Sequence, residues 1–141
     1  MGFLIDTNVL SELQKRKRAD AGVVAWYANT RSWDIYLSVL VLGEVRQGIE
    51  RLRRRDPEQA QRLERRMALV QVSFEDRILP ITRAVAERWG NNNVPDAFPV
   101  IDGLLAATAL EYDLTLVTRN VRDVERCGVR VLNPFADVAV P

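Results

Sequence analysis

Asp6, Glu44, Asp102 and Asp123 are the carboxylates whose neighbours in sequence could take part in chemistry. Asp6 ends the apolar run Phe3-Leu4-Ile5 and is followed by Thr7 and Asn8. Gly48 lies one helical turn after Glu44, and Ala106 one turn after Asp102. Each acid therefore has a small residue on its own helix face, which leaves room beside it. Thr118, Asn120 and Asp123 follow the apolar segment from Leu114 to Val117. The chain has no histidine and a single cysteine, Cys127. That removes a histidine base, Ser-His-Asp and Cys-His machinery, an internal disulfide and nearly every zinc site. What remains is the chemistry of carboxylates, hydroxyls, amides and arginines. Carboxylates brought together repel one another and take up protons unless a cation neutralises them. With oxygen ligands alone that cation is a hard one, Mg²⁺ or Mn²⁺. Such a centre lowers the pKa of a bound water and supports the charge of an in-line phosphoryl displacement. Phosphodiester hydrolysis is the leading reaction class.

Each acid also has a bland reading. Asp6 could be a helix cap, Glu44 a solvated helix residue, Asp102 a helix-dipole acid and Asp123 a turn residue. Their joint placement argues for a site, and that placement depends on the elements between them.

Short apolar runs read as buried parallel strands at Phe3-Leu4-Ile5, Ile35-Tyr36-Leu37, Ile78-Leu79, Leu114 to Val117 and Val129 to Leu132. Helical patterns fill the intervals. One covers residues 20 to 31, with Val23, Val24, Trp26 and Tyr27. Another starts at Ser38 as N-cap, with Leu42, Val45, Ile49 and Leu52 as its stripe. Asp56 as cap and Pro57 at the first position start a third. Residues 82 to 90 give a fourth, 91 to 99 a loop, and Val100 onward a helix with Ile101, Leu104, Leu105, Thr108 and Tyr112 on one face. Alternating strands and helices predict an α/β fold with a mainly parallel central sheet between helical layers. The span from 38 to about 76 reads as a projecting helical hairpin. In such folds ligands bind outside the carboxyl ends of the strands, where Asp6, Ser38 and Thr118 fall.

A length of 141 residues, 48% hydrophobic and 28% charged, predicts one globular domain over 1–141. No apolar stretch reaches transmembrane length, and the N-terminus does not resemble a signal peptide. A cytoplasmic protein is the default expectation. The net charge is +1, but the basic residues cluster at "QKRKR" (14 to 18) and "RLRRR" (51 to 55). Arginine at such density suits bidentate phosphate contacts.

Taken in order, these segments resemble the motifs of the PIN-domain nucleases, and within them the VapC-type toxins, including the FitB-like members. "FLIDTNVLSEL" resembles the opening motif, with Asp6 as first metal ligand. "YLSVLVLGEVRQGIERL" resembles the second, with Glu44, and "IDGLLAATAL" the third, with Asp102. "LTLVTRNVRDVE" resembles the fourth, and "VRVLNPF" the closing strand and turn. The fourth motif departs from the pattern. Many members carry an Asp directly after the Thr-Arg pair, where this chain has Asn120, and the acid comes three residues later as Asp123. The resemblance implies a Rossmann-like sheet, a Mg²⁺-dependent endoribonuclease acting on structured RNA of the tRNA or rRNA class, and a homodimer. It also implies a cognate VapB-like antitoxin that inhibits the toxin. Asp6, Glu44 and Asp102 would hold the metal, with Asn120 or Asp123 as the fourth position. Thr118 would stand beside them, and Arg119 with Lys15, Arg16, Lys17 and Arg18 would contact RNA phosphates.

Two other readings compete with this one. A haloacid-dehalogenase-like phosphatase also opens with a strand ending in Asp, but needs a second Asp where this chain has Asn8. It also needs a lysine deep in the chain, and both lysines here lie before residue 18. A non-catalytic PIN-like interaction protein would be favoured by loss of an acid, and Asp6, Glu44 and Asp102 all remain.

Overall fold

The computed structural model describes residues 1–136. The chain begins with β1 (Phe3–Ile5), α1 (Thr7–Leu13) and α2 (Ala21–Ala28). It continues through β2 (Ile35–Ser38), α3 (Val39–Arg53), α4 (Pro57–Ser73) and β3 (Ile78–Leu79). It closes with α5 (Arg83–Asn92), α6 (Val100–Glu111), β4 (Thr115–Val117) and β5 (Val131–Leu132). The strands form one sheet in the order β3-β2-β1-β4-β5, with every neighbouring pair parallel. The expected α/β class with a central parallel sheet is what the chain adopts. Leu4, Ile5, Ile35, Leu37, Leu116 and Val117 are fully or almost fully buried at its centre.

The local causes are legible. Ser38 accepts from the Leu40 N–H and caps α3, and Asp56 accepts from Gln59 N–H ahead of Pro57. Ile49 of the expected α3 stripe is buried, with Leu42, Val45 and Leu52 packed partly buried against the core. The α3–α4 hairpin is pinned by Arg53 to Glu64 at 3.1 Å and by Arg46 to the same acid. Its Ala60 and Met67 are buried in the main core.

Several boundaries differ from the expected ones. α2 ends at Ala28, short of 31, and the segment from Leu114 yields a strand only from Thr115. The reason is the end of α6. Asp113 takes φ of 54°, and the Leu114 N–H returns to the Ala109 carbonyl at 2.8 Å, which consumes Leu114 in a helix-terminating turn. α1 was foreshadowed only by the reading of Asp6 as a helix cap. Ala106, expected to open space beside Asp102, is 1% exposed and belongs to the core. Within the C-terminal "FADVAVP", Phe135 is buried and the Ala136 N–H donates to Asp20 Oδ2 at 2.9 Å. Gly22 permits that approach, because a Cβ there would meet the Pro134 carbonyl at 2.4 Å. The rest of that segment, 137–141, lies outside the described residues.

Candidate metal centre

The strand order reverses at β1: the chain first winds to β2 and β3 on one side, then returns to β4 on the other. That reversal opens a crevice at the carboxyl ends of β1 and β4. Asp6 follows β1 and Thr118 follows β4, and the Thr118 hydroxyl donates to Asp6 Oδ2 at 2.7 Å. Asp6 is 5% exposed and also caps α1 by accepting from the Thr7 N–H at 2.6 Å. The two readings of Asp6, cap and site residue, are therefore not exclusive. Burial pushes its carboxyl above the ordinary range, opposed by the Thr118 and Thr7 hydrogen bonds.

Two residues that the sequence did not single out as part of the site complete this junction. Asn8 Nδ2 donates to Asp6 Oδ2 and to Thr118 Oγ1, both at 3.3 Å. Its Oδ1 accepts from the Arg119 N–H at 3.2 Å. Asn8 thus ties the ends of β1 and β4 together. The Thr7 hydroxyl donates to Glu44 Oε1 at 2.5 Å, joining α1 to α3. The available signal was their position in the first turn of a helix that Asp6 caps.

Asp102 stands in the first turn of α6. Among the described residues it has no hydrogen-bond donor and no ion-pair partner. Burial pushes its carboxyl up to about 6, and the charges of Asp6, Asp123 and Glu44 add to the rise. Asp102 is thus within electrostatic reach of the other three acids. Asp123, in a short 3-10 turn after β4, is exposed and acts on Asp102. Asn120 supplies its backbone N–H to Thr118 Oγ1 at 3.1 Å. Among the described residues, no group of three or more Asp, Glu, Cys or His side chains is arranged to hold a metal ion as it stands. The donor set is nonetheless that of a hard cation: oxygen only, anionic, and without an internal counter-charge at Asp102. Mg²⁺ characteristically keeps several waters and takes only one or two carboxylates directly, so an open acidic cluster fits its demands.

A groove of about 570 Å³ leads away from Thr7 and Glu44 between α1, α3 and α4. Gly48 forms part of its wall, and nothing lies within 4 Å of where a Cβ would stand, so the glycine does leave space beside Glu44. Lys15, Arg16 and Arg18 line this groove, whereas Lys17 is exposed and is not part of the lining. Lys15 also pairs with Glu12 at 2.9 Å. Arg119 lies 4.5 Å over the Phe135 ring. Asp20 is held below the ordinary range first by the Ala136 N–H, then by the Val23 and Gly22 N–H groups and last by the Arg119 charge.

Comparison with known proteins bears on this geometry. The PIN domain family model matches residues 3–127. Toxin FitB of Neisseria gonorrhoeae is 32% identical over 142 residues, covering 96% of this chain and 99% of that one. The crystal structure of FitAcB from the same organism superposes with a TM-score of 0.86 at 31% identity, covering 94% and 97%. VapC ribonuclease Y4jK of Sinorhizobium fredii is 30% identical over 141 residues, covering 94% and 97%. A toxin–antitoxin complex from Klebsiella pneumoniae matches with a TM-score of 0.70 at 25% identity, covering 95% and 98%.

Proposed function

The chain belongs to the PIN-domain family, and from that premise we propose that it is the toxin of a toxin–antitoxin pair, acting as a Mg²⁺-dependent endoribonuclease. The observation that carries this reading is Asp102, half-buried and acted on by the charges of Asp6, Asp123 and Glu44, with no cation paired to it among the described residues. Among relatives, one is a toxin, one a VapC ribonuclease, and one solved structure a toxin–antitoxin complex. No helix of the described residues is long and apolar enough to cross a membrane, which agrees with action on RNA in the cytoplasm. A homodimer that binds a VapB-like antitoxin over the acidic crevice is the assembly we propose. Structured RNA of the tRNA or rRNA class is the proposed substrate.

Asp6, Glu44, Asp102 and Asp123 would hold Mg²⁺, with Mn²⁺ as a substitute. When bound, the ion supplies a water of lowered pKa and charge stabilisation for the phosphoryl displacement. The chain's own contribution is positional. Thr118 and Asn8 fix the Asp6 carboxylate at the mouth of the crevice, and Thr7 fixes Glu44. Asn120 orients the Thr118 hydroxyl through its backbone N–H. Asp123, rather than Asn120, supplies the fourth charge.

The test is incubation of cellular RNA with purified, antitoxin-free protein in Mg²⁺, in Mn²⁺ and in chelator, beside Asp6→Asn and Asp102→Asn. Discrete metal-dependent fragments that vanish in both folded variants are expected. Cleavage that persists in chelator or in the variants would contradict the reading. The open arrangement of the acids is the observation that favours the second reading, a non-catalytic PIN-like interaction protein. That reading predicts no cleavage and no saturable metal binding.

A further inference from the structure

Three observations converge on the end of the groove away from the acids. Arg16, Arg62, Arg65 and Arg66 by themselves line a hollow of about 450 Å³. Four guanidiniums around one space repel one another and create a demand for an anion. Arg16 takes φ of 56°, in the left-handed region that residues with a side chain rarely adopt. Held strain of this kind concentrates at ligand clamps. Finally, Arg66 Nε is buried without a hydrogen-bond partner, while its Nη1 reaches the Gln14 carbonyl at 3.4 Å. A buried donor left unmet is costly unless something accepts from it. Arg62 and Arg65 are exposed and form no ion pair among the described residues.

The hollow is continuous with the groove, since Arg16, Arg62 and Arg66 line both and the groove begins at Thr7 and Glu44. A chain with one phosphate at the acids is led toward the arginines. Guanidinium forks match phosphate oxygens two at a time. We infer that Arg16, Arg62, Arg65 and Arg66 form a second anion site, gripping a backbone phosphate of the RNA away from the scissile bond. The inference rests on the nuclease reading above. RNA suits the site better than an acidic peptide, because it carries a phosphate at every nucleotide.

The experiment is anisotropy titration of a fluorescent RNA hairpin with the full chain in chelator, so that cleavage is off, over a series of salt concentrations. Arg62→Gln/Arg65→Gln removes two exposed charges without touching the core. Arg83→Gln, on α5, is the control. Melting curves establish that each variant is folded. Expected are a roughly ten-fold weaker affinity at low salt and a salt slope flattened by up to about 0.7 to 0.9, the value for one phosphate contact, with the control unchanged. Arg62→Lys/Arg65→Lys should recover the slope but only part of the affinity. Equal RNA binding by wild type and the Gln variant would overturn the site and leave the nuclease reading standing. Absence of RNA binding by wild type in chelator would overturn the site, and cleavage of the same hairpin in Mg²⁺ then decides the nuclease reading separately. A polyglutamate peptide whose binding is lost in the Gln variant, with RNA binding intact, would overturn the site in favour of a protein partner.

Discussion

Two sets of carboxylates in this molecule sit in opposite electrostatic surroundings. On the α3–α4 hairpin, Glu50 and Glu64 both pair with Arg46 and Arg53, which hold the acids below their ordinary range. At the carboxyl edge of the sheet, Asp102 has acids as its charged neighbours and is pushed up to about 6. The side-chain chemistry is the same; what differs is first the burial of Asp102, and then the sign of the charged neighbours. A chain arranged for its own stability pairs its acids, as the hairpin does. On the proposed reading, leaving Asp6, Glu44, Asp102 and Asp123 together costs stability that a bound cation would return, a pattern typical of functional sites.

The largest effect expected from breaking this contrast is on catalysis. Asp6→Asn or Asp102→Asn should lower initial rates of metal-dependent RNA cleavage by on the order of 10³-fold. Glu50→Gln and Glu64→Gln should leave the rates within about two-fold, because their partners are structural. Equal losses in both sets would dissolve the distinction. One step smaller, Asn8→Ala and Thr118→Val remove the groups that orient Asp6. Rates and Mn²⁺ affinity should fall by roughly 10–100-fold, the range for residues supporting a ligand, and parallel titrations of the two variants would read it.

The contrast also has a pH signature. The Asp102 carboxyl holds its proton more firmly in the folded chain than at its ordinary value of 3.8. Its contribution to stability is therefore complete below about pH 4 and is lost as pH rises through about 6. Asp102→Asn should stabilise the metal-free protein near neutral pH by about 1 kcal/mol, after discounting for solvent screening at a partly exposed group. The gain should vanish in acid, as followed by thermal melts across pH. Glu64 has the opposite sign. Its stabilising effect is present above the ordinary glutamate range and is lost as pH falls through its lowered value. Glu64→Gln should lower the melting temperature slightly at neutral pH, and the loss should shrink in high salt.

Much of this was legible in the amino-acid sequence because hydrophobic runs and caps are local signals. Ile35 to Leu37, Ser38 ahead of α3, and Asp56 with Pro57 ahead of α4 all act within a few residues of their own positions. The positions of Asp6 and Thr118 directly after apolar runs likewise indicated that both fall at one sheet edge, where they hydrogen-bond. What was not legible depends on contacts between distant segments. Asn8 matters through Thr118, Asp6 and Arg119, and Thr7 through Glu44. Nothing in "DTN" announces those partners. Arg62, Arg65 and Arg66 read as an ordinary helical surface until the fold sets them around Arg16. Ala106 beside Asp102 had the spacing of a recess, but the packing of α6 on the sheet turned it into core.

The most direct test of the account is calorimetric titration of Mg²⁺ and of Mn²⁺ into the antitoxin-free chain, beside Asp102→Asn and Glu64→Gln. The account predicts saturable binding by wild type and Glu64→Gln, loss of that binding in Asp102→Asn, and a higher melting temperature in saturating metal. At a hundred-fold excess over Kd the stabilisation should be about 2.7 kcal/mol. Absence of saturable binding, or binding that Asp102→Asn leaves unchanged, would contradict the claim that these four acids form a metal centre.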